Sequence, residues 1–186
     1  MSSPTKEALG AALKQMLALK PIEKITIKDL VEICGVNRQT FYYHFDDVYD
    51  LLEWVFEEDA NRVLPHEVVY ENWQDDVTLF FTYLRDNSSF ALNIYNSNSR
   101  TYMLRYYKRR LQDCIRSFAV IACENRNIDR SDFDFVVELY ANIIVGLISQ
   151  WLDAGMPVTR EFSKDRLLRV LDSSVENLMD RFAINN

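Results

Sequence analysis

The chain has 186 residues, of which 48% are hydrophobic and 26% charged, a balance typical of soluble globular proteins with one or two domains. Only 4 Gly and 4 Pro are present, so few residues interrupt helices. The formal net charge of -7 argues against a protein that binds nucleic acid over its whole surface. Three cysteines, Cys34, Cys114 and Cys123, indicate buried thiols in a reducing compartment rather than a disulfide framework.

The first predicted helix begins at Ser3 and Pro4 and ends near Leu19, before Pro21. Because it follows Met1 directly, no secretion signal is expected. The longest uncharged apolar run, residues 139–152, is shorter than the roughly 20 residues that a membrane span needs. These features predict a cytoplasmic protein.

Two short helices joined by a tight turn are predicted between Thr26 and Phe45. Thr26 and Asp29 have the spacing of a capping box, and Gly35 suits the left-handed residue that ends a helix. Asn37 is a good N-cap for a second helix, residues 38–45. These signals together predict a helix-turn-helix.

Further helices follow to the end of the chain, and no alternation typical of strands persists. A fourth helix is predicted from Asp46 and Asp47 towards Val63, with Pro65 as its end. The later predicted helices are residues 73–85, 90–95, 101 to about 123, 131–154 and 163–182. The sequence therefore predicts an all-α protein.

The run from Ile25 to Phe45 resembles the TetR family of bacterial transcription regulators, most clearly in the phrase Thr40-Phe41-Tyr42-Tyr43-His44-Phe45. The segment 144–157, with its Gly, Trp and Gly, is similar to the branch that includes regulators of dihydroxyacetone-kinase operons. The resemblance implies a helix-turn-helix domain over residues 1–47 and a helical ligand-binding and dimerisation domain over residues 48–186. It also implies a homodimer on a palindromic operator, by default a repressor that responds to a small molecule or partner protein. An activator of the same fold is the alternative.

The second helix of the predicted helix-turn-helix carries its DNA-binding side chains opposite Phe41 and Phe45. Arg38 suits guanine or a phosphate, Gln39 suits adenine, and the Thr40 methyl suits thymine. The residues expected to contact the DNA backbone, and so to position the protein on the duplex, are Thr26, Lys28, Asn37, Tyr42, Tyr43 and His44.

Charge and family pattern set limits on this DNA contact. Residues 1–46 carry six Lys or Arg and five Asp or Glu, a net +1, whereas the remainder carries 15 and 23, a net -8. Many family members carry a Lys at the start of the fourth helix, where this chain has Asp46 and Val48. A phosphate contact from side chains of that helix is therefore not expected.

The C-terminal part supplies two further sets of predicted residues. Aromatic residues are typical of ligand-pocket walls as well as of cores, and the candidates are Trp73, Tyr83, Tyr95, Tyr102, Tyr106 and Tyr140. Two apolar helices are predicted to form a four-helix dimer interface, through Ile144, Leu147, Ile148, Trp151, Leu167, Leu171, Val175 and Leu178. The basic cluster Arg105, Lys108, Arg109 and Arg110 is interpreted as a solvated helix face.

Other classes of function have little support in the sequence. It holds no Gly-rich phosphate loop, no HExxH motif and no nucleophile elbow, and its two histidines are His44 and His66. We therefore expect no enzyme activity, no cofactor and no metal. A helical protein-interaction adaptor is the alternative to a DNA-binding regulator.

Overall fold

The computed structural model describes residues 3–63, 73–122, 126–157, 164–171 and 174–183, and these residues form helices and no strands. The helices are α1 (Pro4–Leu17), α2 (Ile27–Cys34), α3 (Arg38–His44), α4 (Val48–Val63), α5 (Trp73–Asp86), α6 (Ser88–Tyr95), α7 (Arg100–Ala122), α8 (Arg130–Asp153), α9 (Lys164–Leu171) and α10 (Ser174–Phe182). The predicted all-α fold class is confirmed.

The chain forms two compact units, each made of two separate stretches of the sequence. The first unit contains Met1–Val63 and Tyr83–Met103, and the second contains Leu64–Thr82 and Leu104–Asn186. Helices α5 and α7 therefore each belong partly to both units. The predicted functional division after residue 47 stays a prediction, since these units group the chain by its contacts and place α4 and α6 with α1 to α3.

The first unit is built around α1, which packs on α2, α4 and α6. Leucines of these helices are fully buried because their apolar faces meet in one core: Leu9, Leu13, Leu17, Leu30, Leu51 and Leu52. At Gly10, α1 lies so close to α4 that a Cβ atom would stand 2.6 Å from Cζ3 of Trp54. The small residue thus permits the tight contact between the two helices.

The turn between α2 and α3 has the geometry that its sequence predicts. Thr26 accepts a hydrogen bond from the Asp29 amide at 3.2 Å, and the Thr26 amide donates to the Asp29 carboxylate at 3.1 Å. This confirms the predicted capping box. The backbone hydrogen bond from Thr26 is the main cause that lowers the pKa of Asp29. Gly35 follows α2 with a φ of 65°, in the left-handed region.

In the second unit, α7 contacts α8 through polar side chains. Helix α5 contacts both α7 and α8 through aromatic rings. Lys108 and Gln112 donate to Glu138, and Arg116 donates to Asp134 at 2.6 Å. The hydrogen bond from Lys108 is the main cause that lowers the pKa of Glu138. The aromatic contacts link Phe80 to Tyr107 (5.4 Å between ring centroids) and Phe81 to Trp151 (5.3 Å).

Helix α8 is the one helix of the described chain whose length and composition would suit a membrane span. Its side chains at Val136, Val137, Ala141 and Ile148 are buried within the second unit. These side chains therefore pack in the core of the second unit.

Some described boundaries differ from the prediction, since α1 ends at Leu17 and α6 begins at Ser88. Helices α9 and α10 lie within the predicted helix 163–182, and residues 172–173 between them lie outside the described residues. A 3-10 turn at Ile22–Lys24, which the sequence analysis did not predict, leads into α2. Pro65, His66 and Cys123 also lie outside the described residues. Cys34 and Cys114 are free thiols, and burial raises the pKa of both.

The left-handed Gly35 yields a stability prediction. Gly35→Ala should lower the free energy of unfolding by about 1 kcal/mol, because a Cβ atom is strained at this φ. Apart from the neighbours of Gly35 in the chain, no atom of the described residues lies within 4 Å of the position of that Cβ, so the cost comes from the backbone conformation. Gly35→Asn should cost clearly less, because Asn tolerates the left-handed region. Urea unfolding measures both, and equal losses for Ala and Asn would contradict this explanation.

Candidate nucleic-acid interface

Helix α3 is held at its start by its own N-cap. The Asn37 side-chain oxygen accepts from the Thr40 amide at 2.8 Å and from the Thr40 hydroxyl at 3.0 Å. The cap predicted from Asn37 is thereby confirmed. The same contacts orient the Thr40 hydroxyl towards Asn37. The DNA-binding roles of both residues stay predictions, and the Asn37 oxygen already accepts two hydrogen bonds.

The two faces of α3 differ sharply in exposure. Phe41 is 0% exposed and Phe45, just after the helix, is also buried, so these rings anchor α3 in the first unit. Side chains on the other face are exposed, with Tyr43 at 84%. The predicted DNA-binding residues of α3 that are exposed are Arg38, Gln39, Tyr42 and Tyr43, while Thr40 and His44 are half-buried.

Two lysines of the first unit are paired with acids. Lys28 lies 3.7 Å from Glu32 in an exposed pair, and Lys20 lies 3.3 Å from Asp29 in a half-buried one. An exposed ion pair contributes little free energy, so Lys28 can exchange its partner for a phosphate at small cost.

The structure adds one cation that the sequence analysis did not identify. The Lys6 ammonium on α1 lies 5.0 Å from the centroid of the Phe45 ring and 6.0 Å from that of Trp54. This places a positive charge beside the C-terminal end of α3. No local pattern predicts the contact, because Lys6 and Phe45 are far apart in sequence.

The start of α4 is closed by its own acids. The Asp47 carboxylate accepts from the amides of Tyr49 and Asp50 at 2.8 and 2.9 Å, and the Asp46 amide donates to Asp50 at 2.9 Å. The carboxylates of these acids thus satisfy amides at the N-terminus of α4. That α4 supplies no side-chain contact to phosphate stays a prediction.

The predicted ligand-lining aromatics are divided between the two units. Tyr83, Tyr95 and Tyr102 belong to the first unit, where Tyr95 is buried and Tyr102 stacks on Phe56. Tyr106 and Tyr140 are buried in the second unit. The side chain of Trp73 lies outside the described residues. The assignment of these residues to one ligand site stays a prediction.

Most of the predicted dimer residues are buried within the single chain. The buried ones are Ile144, Ile148, Trp151, Leu167, Leu171 and Val175, while Leu178 is half-buried and Leu147 is 41% exposed. The six buried side chains fill the core of the second unit and leave little surface for another subunit. The exposed apolar side chains of α8 lie beside them, at Phe135, Ile143 and Leu147.

Comparison with known proteins agrees with this geometry. Residues 8–55 match the family model of bacterial regulatory proteins of the tetR family. Residues 71–173, more than half of the chain, match the model of a transcriptional regulator C-terminal region.

One relative is the HTH-type dhaKLM operon transcriptional activator DhaS of Lactococcus lactis subsp. lactis (strain IL1403), which is 29% identical over 91 residues. That alignment covers 49% of this chain and 49% of the relative, so the chain spans about half the length of the relative it matches.

A solved structure of a dihydroxyacetone kinase operon activator DhaS superposes with a TM-score of 0.74 at 19% identity. The superposition covers 98% of this chain and 100% of that one, and it shows that the fold is shared. The two family models and the exposed helix of the helix-turn-helix lead to one conclusion: the chain belongs to the TetR family of DNA-binding transcription regulators.

Proposed function

We propose that the chain acts in the cytoplasm as a homodimer that binds a palindromic operator through α3 of each subunit. The observation that carries the proposal is the geometry of α3, which is anchored by Phe41 and exposes four side chains able to contact DNA. A two-fold dimer presents two such helices to successive major grooves, about 34–36 Å or a multiple of that distance apart. A single helix of seven residues would contact too few base pairs for specific binding.

In this proposal, one set of residues reads the bases and another set contacts the DNA backbone. Arg38 and Gln39 are exposed at the N-terminal end of α3, the part of a recognition helix that contacts base edges. Gln39 pairs with adenine, and Arg38 pairs with guanine or a phosphate. The DNA backbone is contacted by Tyr42, Tyr43, Lys28 and Lys6. These contacts position α3 without reading the base sequence.

Repression is the action that we propose for the bound dimer, because an operator-bound regulator blocks access to a promoter. Activation is the second candidate, since the relative from Lactococcus lactis is named as an activator. A reporter gene behind the bound promoter separates the two. Deleting the regulator should raise reporter expression, whereas a fall would favour activation.

We further propose that a small molecule or partner protein binds the second unit and shifts the population of DNA-binding arrangements. Its aromatic contacts among α5, α7 and α8 support this placement, because such side chains are typical of ligand sites. Tyr106 and Tyr140 are the predicted lining residues that belong to this unit. The proposed site uses no metal or cofactor.

The dimer in this proposal uses the exposed apolar stripe of α8. Ile143 and Leu147 lie four residues apart on one face, and they are 42% and 41% exposed. Pairing this stripe with its symmetry mate would remove apolar surface from water on both subunits. The buried residues of α8 to α10 support that surface from inside.

A base-reading role for Gln39 makes a specific prediction. Gln39→Ala should relax the preference at one or two base pairs of each half-site by about 1–3 kcal/mol, because a bidentate contact to adenine is lost. Selection from a random DNA library measures the preference. Gln15→Ala, which changes an exposed glutamine on α1, is the matched control and should retain the original preference. An unchanged preference and affinity in Gln39→Ala would contradict the role.

The dimer makes a second prediction. Ile143→Glu combined with Leu147→Glu should give folded monomers by light scattering and circular dichroism, because both side chains are exposed in the single chain. Operator binding should then be largely lost. Leu79→Glu changes an exposed leucine of α5 and should leave the dimer intact. A double variant that stays dimeric and binds DNA tightly would exclude this face of α8 from the interface.

A further inference from the structure

One basic residue of α7 differs from its basic neighbours in its surroundings. Arg105 and Arg109 are exposed, and Lys108 donates to Glu138 on α8. Arg110 is half-buried, and its Nε atom is shielded from water. The interpretation of this basic cluster as a solvated helix face therefore does not hold for the Nε–H group of Arg110.

The buried Nε–H group of Arg110 donates no hydrogen bond to any residue that the structure describes. A buried donor without an acceptor costs free energy, and the cost is larger when the donor belongs to a charged group. Native proteins contain few such groups, and a bound ion or water is one explanation for them. Arg110 can therefore accept an additional partner from outside the chain.

The surroundings of Arg110 are largely apolar. Tyr106 and Tyr107 precede it by four and three residues and Cys114 follows it by four, spacings at which side chains are neighbours on a helix surface. Both tyrosines are buried, and the Tyr107 ring contacts that of Phe80 on α5. Burial is the main cause that raises the pKa of Cys114, while the charge of Arg110 lowers it. Electrostatic contacts in such surroundings are stronger than contacts in water.

Two acids in the same region do not neutralise Arg110. After burial, the charges of Asp113 and Asp76 also raise the pKa of Cys114, so both carboxyl groups lie near it. Within the described ranges of the chain, neither acid forms an ion pair with Arg110. Burial is also the main cause that raises the pKa of Asp76, which disfavours a negative charge there. The guanidinium therefore remains available to an anion.

We propose that Arg110 binds a carboxylate or phosphate group of the effector, while the rings of Tyr106, Tyr107 and Phe80 contact its apolar part. All four residues belong to the second unit, and the inference rests on the proposed function, in which an effector binds that unit. Adjacent N–H groups of a guanidinium match two oxygens of either anion, which permits a paired contact. The effector class is thus a small organic acid or phosphate ester with an apolar body.

Packing alone is a weaker explanation for Arg110. The aliphatic part of an arginine can cover apolar surface while its terminal nitrogens reach water. A methionine would cover the same surface without a buried N–H group that lacks an acceptor. If packing were the whole role, the chain would bind an anion equally well with or without this guanidinium.

The testing variant is Arg110→Met, which keeps an apolar side chain and removes the guanidinium. Calorimetry at constant ionic strength measures the binding of phenyl phosphate, benzoate and uncharged benzyl alcohol to the full chain. The wild-type chain should bind one or both anions, and a comparison of the two separates a phosphate site from a carboxylate site. Arg110→Met should bind the anion at least about tenfold more weakly, because a charged hydrogen-bonded contact is lost.

Arg105→Met is the matched control, since it removes the same charge from an exposed position of α7. It should bind the anion as the wild-type chain does. Benzyl alcohol should not distinguish the three chains, because it carries no charge for Arg110 to bind.

Thermal unfolding without ligand gives a second readout. Arg110→Met should have a Tm no lower than that of the wild-type chain, because the substitution removes a buried donor that has no acceptor. A clearly lower Tm would show that the fold itself uses the guanidinium, and it would overturn the inference.

Three binding results would also overturn it. They are the absence of binding of either anion to the wild-type chain, undiminished binding to Arg110→Met, and an equal loss of binding in Arg105→Met. A different result would refute the effector step of the proposed function instead. In that case the anion binds through Arg110, but the affinity of the wild-type chain for its operator does not change.

Discussion

The burial of Phe41 is the interaction on which the DNA-contacting surface depends. Helix α3 has seven residues, and a helix of that length is not stable alone in water. The Phe41 ring is fully buried and Phe45 is buried just beyond the helix end, so tertiary packing supplies the stability that the short helix lacks. With these two rings inside and the Asn37 cap at its start, α3 can leave its other face polar and exposed.

Net charge is the second constraint, because a negative charge disfavours contact with DNA phosphates. The acidic net charge lies mostly beyond the helix-turn-helix, and acids also close the start of α4. Few cations therefore remain for phosphate contact on one subunit. Specific binding then requires either base contacts of good geometry or two DNA-binding helices held at a matching distance. The proposed dimer would supply both.

The sequence predicted the helix-turn-helix in detail because its signals are local. Thr26, Asp29, Gly35 and Asn37 each specify a cap or a turn within a few residues, and the structure confirms all of them. The pairing of Lys14 with Asp59 joins residues 45 positions apart, and no periodicity indicates such a contact.

The outward face of α8 was harder to identify from the sequence. That helix is apolar nearly all round, so periodicity alone does not separate Ile144 and Ile148, which are buried, from Ile143 and Leu147, which are exposed. The helix-by-helix prediction was therefore accurate where caps and breakers define an element. The division between core and surface needed the packing of the whole second unit.

Entry of α3 into the major groove is the central claim, and methylation interference tests it most directly. Dimethyl sulfate modifies guanine N7, which lies in the major groove, on DNA selected by the wild-type chain. The account predicts two clusters of interfering guanines on one face of the duplex, separated by about 10–10.5 base pairs or a multiple of that spacing. Binding that is insensitive to methylation in the major groove, or a single cluster, would contradict it.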